Sequence, residues 1–247
     1  RVLFRSELFM NNFVLELLGT MFLVLLGDGV VANVVLKGTK GNNSGWIVIT
    51  TGWAMAVGVN AFIFTASGAH FNPALTIGLA TIGQFAWADV PLYIAAQMIG
   101  GFLGACLVYV QYKDHFNQSD PDSQLGVFAT GPAIRNTVTN LLCEIIATFF
   151  LVFAILGIGQ TEMAPGLSVL GVIAIIWVIG ICLGGTTGYA INPARDLAPR
   201  IAHAVLPLKG KRDSDWGYAW IPVVGPIVGA IIAAQLFNWL VCSGIFR

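Results

Sequence analysis

Two Asn-Pro-Ala triplets, Asn72-Pro73-Ala74 and Asn192-Pro193-Ala194, carry the most specific chemistry in this chain. Asn is a favoured helix N-cap, and Pro suits the first helical position, where no backbone donor is needed, so each triplet starts a helix. Each Asn side chain also offers amide donors, and each helix start adds partial positive charge. Arg195 follows the second triplet directly, a permanent cation with several N–H donors. The stretches before the triplets, "TASGAH" and "GGTTGY", are irregular. Their carbonyls around Gly68, Ala69 and His70, and around Gly188, Tyr189 and Ala190, can form a ladder of acceptors. The apolar segments hold no metal-ligand cluster and no nucleophile–base pair, so the chemistry is binding and orientation rather than catalysis, and no cofactor is implied. A neutral solute with alternating hydroxyls and carbons suits such donors on one side and apolar wall on the other.

These polar groups sit in an unusually apolar chain. Of 247 residues, 57% are hydrophobic and 10% charged, with a mean hydropathy of +0.81, whereas soluble domains carry about 25% charged residues. So few charges cannot cover a water-facing surface, and the lipid bilayer is the expected solvent. The net charge is zero and no basic or acidic block occurs, which gives no sign of a nucleic-acid partner. Cys106, Cys143, Cys182 and Cys242 lie singly in apolar runs and read as small buried hydrophobes rather than disulfides or metal ligands.

A helix needs roughly 20 apolar residues to cross about 30 Å of hydrocarbon. Six runs qualify: 11–36, 46–65, 91–112, 137–158, 168–185 and 219–241. Two shorter apolar pieces begin at Asn72 and Asn192, each too short to span. The connections read as polar and turn-rich, the longest at about 113–136. An internal repeat organises all of this. "ELLGTMFLV" from Glu16 matches "EIIATFFLV" from Glu144, with five of nine positions identical; "SGAHFNPALT" matches "TGYAINPARD", and "GGFLGA" resembles "GPIVGA", in the same order. The expectation is one channel domain over 1–247, with repeats at about 9–112 and 137–242. Three spans per repeat is odd, so the second repeat inserts upside down. The two short helices then enter from opposite faces and meet at the midplane, about 15 Å each by helical rise.

Each feature has a blander reading. An Asn-Pro-Ala can be just a capped helix start, but a helix start at the membrane centre is costly unless it lines a wet cavity. The preferred reading is a narrow pore with Asn72 and Asn192 donors at its waist and two half-helix dipoles repelling cations and protons. Arg195, read as the only cation well inside the apolar region, either lines the pore or braces its loop, and these roles are compatible. Glu16 and Glu144 occupy equivalent repeat positions inside spans. They form either a proton relay or, preferably, buried acceptors for the backbone donors of the two re-entrant loops. His70 reads as a hydrogen-bonded wall residue, with gating as the alternative. Gly100/Gly104 and Gly225/Gly229 are spacings that let helices pack closely in lipid.

The duplicated halves, "SGAHFNPALT" and "NPARD", together resemble the major intrinsic protein family, the aquaporins and aquaglyceroporins, over essentially the whole chain. The resemblance implies an all-α integral membrane fold of six spans and two re-entrant half-helices in a right-handed bundle, one pore per subunit, and a homotetramer in the plasma membrane with cytoplasmic termini. The positive-inside count points the other way. Lys37, Lys40, Lys113, Arg135, Lys209, Lys211 and Arg212 would lie outside, against Arg1, Arg5 and Arg247 inside. The resemblance also implies a four-residue selectivity filter: Arg195, Tyr189, Gly180, and a second-span position. That position falls at Trp53 if the loop before His70 is one residue shorter than in the glycerol facilitator pattern, and at Gly52 without that gap. Water-selective members carry His at the Gly180 site and a small or Cys residue at the Tyr189 site. Gly180, Trp53, Asp196 and Pro222-Val223 resemble aquaglyceroporins instead, implying passage of glycerol-like polyols and water. Tyr189 departs from the Phe of that pattern.

Overall fold

The computed structural model describes residues 2–164 and 166–246, leaving aside the side chains of 2–10. Among these residues there are nine α-helices and no strand: α1 (Val2–Val35), α2 (Trp46–Ile63), α3 (Pro73–Thr81), α4 (Val90–Phe116), α5 (Pro121–Phe128), α6 (Thr137–Gly159), α7 (Leu167–Leu183), α8 (Pro193–Val205) and α9 (Ile221–Cys242). Five helices are long and apolar enough to cross a membrane, namely α2, α4, α6, α9 and the Asn11–Val35 part of α1. The fifth sequence run, α7, has 17 residues, at the short end of the spanning range. Leu26, Phe62, Leu103, Val138, Leu170 and Ile232, one on each of these six helices, are exposed. A surface so apolar is fit for lipid rather than water. Arg1, Arg247 and the Arg5 side chain, counted on the inner side, lie outside the described residues.

Helix α1 packs along α4, and α6 along α9, with α2 against α7 between them. Backbone contact drives the first two pairs. A Cβ added at Gly100 or Gly104 would stand 2.2 Å from the Leu17 carbonyl oxygen or 2.4 Å from that of Met21. At Gly229 it would stand 2.4 Å from the Ile145 oxygen. No rotamer change relieves a clash with backbone, so helix axes must separate. Gly104→Ala and Gly229→Ala are each expected to destabilise the folded protein at the upper end of the ~1–3 kcal/mol of overpacking, read as a lower Tm in detergent. Gly29→Ala is the control, because its added Cβ meets nothing within 4 Å. Equal Tm values for all three would refute the close-packing account.

The segment 113–136 differs from its sequence reading as a polar loop. Helix α4 continues through a non-helical Tyr112 to Phe116, and α5 follows, started by Asp120 accepting from the Ser123 backbone at 2.9 Å with Pro121 next. Those Ser123 donors hold the Asp120 carboxyl below its ordinary range. Leu125, Val127 and Phe128 are buried, Phe128 stacking on Phe116. The "SDP" signal of an N-cap followed by Pro was present, but eight residues between polar neighbours do not stand out by hydropathy. The cysteine reading also needs correction. Cys182 and Cys242 are exposed and Cys106 and Cys143 only partly buried, because they sit on outward faces of apolar helices where hydropathy does not distinguish lipid from core.

Candidate functional site

Helices α3 and α8 begin as their sequences require. Asn72 and Asn192 have extended backbone, and each side-chain oxygen accepts from the second helical N–H, Ala74 at 2.9 Å and Ala194 at 3.0 Å, with Pro73 and Pro193 at the first helical position. Such a cap is worth about 1 kcal/mol. The amide nitrogens do something the sequence does not announce. Asn72 Nδ2 donates to the Ile191 carbonyl at 2.9 Å, and Asn192 Nδ2 donates to the Phe71 carbonyl at 2.8 Å. The two helix starts are therefore clasped to each other's preceding loop. One hydrogen of each amide is consumed in the clasp, leaving one per Asn for a solute.

The loops before the two starts share a backbone pattern. Gly68, Ala69 and Phe71 in the first, and Gly188, Tyr189 and Ile191 in the second, have positive φ. Four of these six are not glycine, and each such residue costs on the order of 1–3 kcal/mol and persists only where its surroundings impose it. These left-handed residues turn the N–H groups of each loop to one side, forming a nest for an anion. Glu16 from α1 occupies the first nest, accepting from His70 N at 2.9 Å, Phe71 N at 2.8 Å, Ser67 Oγ at 2.7 Å and Gln97 Nε2 at 2.8 Å. Glu144 from α6 occupies the second, accepting from Ala190 N at 3.0 Å, Ile191 N at 2.9 Å and Thr187 Oγ1 at 2.7 Å. Both carboxylates are fully buried. With N–H groups turned toward the acids, the carbonyls face the other way. Those of Gly68, Ala69, His70, Gly188, Tyr189 and Ala190 accept no hydrogen bond among the described residues, and all six residues line cavities.

Two cavities lined by these residues measure about 270 and 240 Å³. The larger runs past Asn72 and Asn192, the carbonyl loops and His70, with Leu23, Val57, Leu151, Val172 and Ile176 among its apolar wall. The smaller is bounded by Trp46, Ile49 and the segment around Ala129–Gly131, which follows α5. Trp53, Tyr189 and Arg195 line both, so these three side chains stand where the two cavities meet. The Arg195 guanidinium carbon lies 4.0 Å from the Trp53 ring centroid, a cation–π contact. Gly52 instead faces α1, where an added Cβ would meet Val30 at 2.6 Å. Gly180 makes room for Tyr189: a Cβ there would stand 3.0 Å from Tyr189 Cζ and 2.9 Å from Thr50 Cγ2. Trp53 Nε1 and Tyr189 Oη are buried without a partner among the described residues, although such groups are normally hydrogen-bonded.

His70 Nδ1 lies 3.1 Å from Thr76 Oγ1, and its ring packs on Phe85 and Tyr93. Asp196 is fully buried and accepts from Thr130 N and Oγ1, at 2.7 and 2.6 Å, and from Arg200 Nε at 2.9 Å. Arg200 donates on to the Ser214 and Thr130 carbonyls. This network ties α8 to the segment after α5 that walls the smaller cavity. Arg195 was read as the only cation well inside the apolar region; beside it Arg200 is fully buried too. Arg200 sits in a polar-looking stretch of α8 that hydropathy places near the surface. A third acid lies within the spans beside Glu16 and Glu144. Asp28, in α1, is fully buried with Oδ1 3.5 Å from Arg195 Nη1. Trp46 was missed as well; its Nε1 donates to the Gly180 carbonyl at 3.0 Å and its ring abuts Tyr189 edge-on.

A model of the major intrinsic protein family matches residues 3–237. The chain is 58% identical over 233 residues to the "probable glycerol uptake facilitator protein" of Thermotoga maritima, covering 94% of this chain and 100% of that one. It is 53% identical over 225 residues to the glycerol uptake facilitator protein of Bacillus subtilis, covering 90% and 82%. Among solved structures, the aquaglyceroporin from Plasmodium falciparum superposes with a TM-score of 0.85 at 30% identity, covering 96% of this chain and 98% of that one.

Proposed function

The chain belongs to the major intrinsic protein family, and from that premise we propose that it is a passive multi-pass membrane channel for glycerol and similar small neutral solutes, with water, that excludes ions and protons. The observation that carries this reading is the constriction. Three side chains close the passage between two cavities, one of them cationic and two aromatic, with unpartnered N–H and O–H groups beside apolar surface. A polyol presents hydroxyls to Arg195, Tyr189 Oη and the loop carbonyls while its carbon backbone lies against Trp53. The names of the relatives and of the superposed aquaglyceroporin support the same solute class. Ion exclusion rests on the two helix starts, whose partial positive charges converge on the Asn72–Asn192 clasp and oppose cations.

In this reading, repeats at about 9–112 and 137–242 form one channel domain of six spans and two half-helices, α3 and α8. The channel sits in the plasma membrane with both termini cytoplasmic and assembles as a homotetramer, with polyols, water and lipid as its partners. Glu16 and Glu144 hold the loops and relay no proton, because each is already saturated by fixed donors. The test is stopped-flow volume recovery of reconstituted liposomes in a glycerol shift and in a sucrose shift, with and without a pH gradient. Glycerol entry is expected to exceed that of protein-free liposomes by at least about tenfold, a barrier lowered by ~1.4 kcal/mol, and to ignore the gradient. Fast water flux without glycerol entry would make this a water-selective channel. Uptake that follows the gradient would make it a coupled transporter.

A further inference from the structure

We propose that Asp28 is a specificity-determining residue of the constriction, pairing with Arg195 so that the filter passes uncharged polyols and rejects small organic anions. This deepens the channel reading above and rests on it. The geometry begins on α1, where Gly27 and Asp28 back the filter together. A Cβ at Gly27 would stand 2.2 Å from the Trp53 ring, so the glycine seats the indole. Its neighbour Asp28 lies 3.5 Å from the Arg195 guanidinium stacked on that same indole. The Arg195 side chain is 9% exposed and that of Asp28 0%, so the pair is largely removed from bulk water, and its charges act on each other more strongly than they would at the surface.

Among the described residues, Asp28 is the acid within ion-pair distance of Arg195. Asp196, next to it in sequence, is occupied by Arg200 and Thr130. Asp28 Oδ2 has no hydrogen-bond partner among the described residues, so this carboxylate is not spent on holding a loop as Glu16 and Glu144 are. Its interaction is with the filter cation. The electrostatic consequence follows from what else is there. Two half-helix starts already place partial positive charge at the pore centre. An unpaired Arg195 would add a full positive charge, and the pore would attract small anions. Pairing with Asp28 cancels that charge behind the filter while leaving guanidinium N–H groups toward the passage to donate to solute hydroxyls. Cation exclusion then falls to the helix starts, and anion exclusion to Asp28.

The test compares the parent protein with Asp28→Asn and Asp28→Glu in liposomes, following glycerol, water and methanesulfonate, a small organic anion that stays ionised. Asp28→Asn keeps the shape and removes the charge. It is expected to raise methanesulfonate flux about tenfold and to lower the glycerol-to-water flux ratio about threefold, barrier changes within ~1.4 kcal/mol. Asp28→Glu is expected to restore anion rejection. A merely structural role would lower the amount of folded protein and leave the ratio and the anion rejection of what remains unchanged; that outcome overturns the proposal. If the parent passes no glycerol, the channel reading for polyols falls, while the methanesulfonate comparison still decides the role of Asp28. Should Asp28→Asn fold poorly, Asp28→Ser replaces it, and Tm shifts in detergent for Asp28→Ser, Arg195→Val and the double variant decide the pairing. Non-additive shifts are expected, and additive ones overturn it.

Discussion

Glu144→Ala is expected to leave little folded channel, and Glu16→Ala is expected to do the same. Each carboxylate is the sole anchor of two consecutive backbone N–H groups in a loop that holds two non-glycine residues at positive φ. Truncating Glu144 strands the N–H groups of Ala190 and Ile191 and the Thr187 hydroxyl, all of them buried. A buried donor left unsatisfied costs about 1–3 kcal/mol. Three of them approach the ~5–15 kcal/mol that holds a typical protein folded. The loop then relaxes out of its left-handed conformations, the Ile191 carbonyl leaves Asn72, and the clasp between the half-helices opens. Glu144→Gln is milder, since it keeps one acceptor oxygen and sets an amide donor against a backbone donor at the other. The measurement is the monodisperse fraction on size exclusion in detergent, followed by glycerol flux per folded protein. Normal folding of both Ala variants would refute the loop-holding role. Normal folding of Glu144→Gln with uptake that loses a dependence on the pH gradient would revive the proton relay.

Gly180→His is expected to cut glycerol flux by at least about tenfold, a barrier raised by ~1.4 kcal/mol or more, while water flux falls far less. The site has no room for a side chain as built. An added Cβ already presses on Tyr189 Cζ at 3.0 Å and Thr50 Cγ2 at 2.9 Å, and Trp46 Nε1 pins the Gly180 carbonyl from the other side. An imidazole therefore enters by displacing the Tyr189 ring toward Trp53 and Arg195, narrowing the passage where the two cavities meet. A water molecule still fits between donors and acceptors there; a three-carbon polyol needs the apolar width that the ring has taken. The paired readout is glycerol and water flux on the same liposomes. Equal losses of both would mean that Gly180 does not shape the constriction.

Which parts of this arrangement can be read without coordinates follows from how each is encoded. The two half-helices, their Asn caps and Pro starts, and the irregular loops before them are contiguous signals of a few residues, and local chemistry is enough to specify them. The repeat of "ELLGTMFLV" in "EIIATFFLV" predicted that Glu16 and Glu144 have matching tasks, because a duplicated segment carries its partners with it. The apolar runs predicted the long helices to within a few residues at most ends, since hydrocarbon thickness sets their length.

Hydropathy alone was weaker wherever it had to separate lipid from core, as for Cys182 and Cys242, or solvent from a polar interior, as for Arg200 and α5. The sequence by itself thus determined the membrane setting, the two helix starts, the family and the matched positions of Glu16 and Glu144. The tertiary structure decided that Trp53 rather than Gly52 lines both cavities, the crossed bonds of Asn72 and Asn192, the Asp196–Arg200 network, and the pairing of Asp28 with Arg195. The clasp and the Asp28–Arg195 pair join residues more than 100 positions apart in the chain. The rest turn on which face of a helix a side chain takes. All depend on the rotation and register of one helix against another, which close packing of whole surfaces sets and no local pattern encodes.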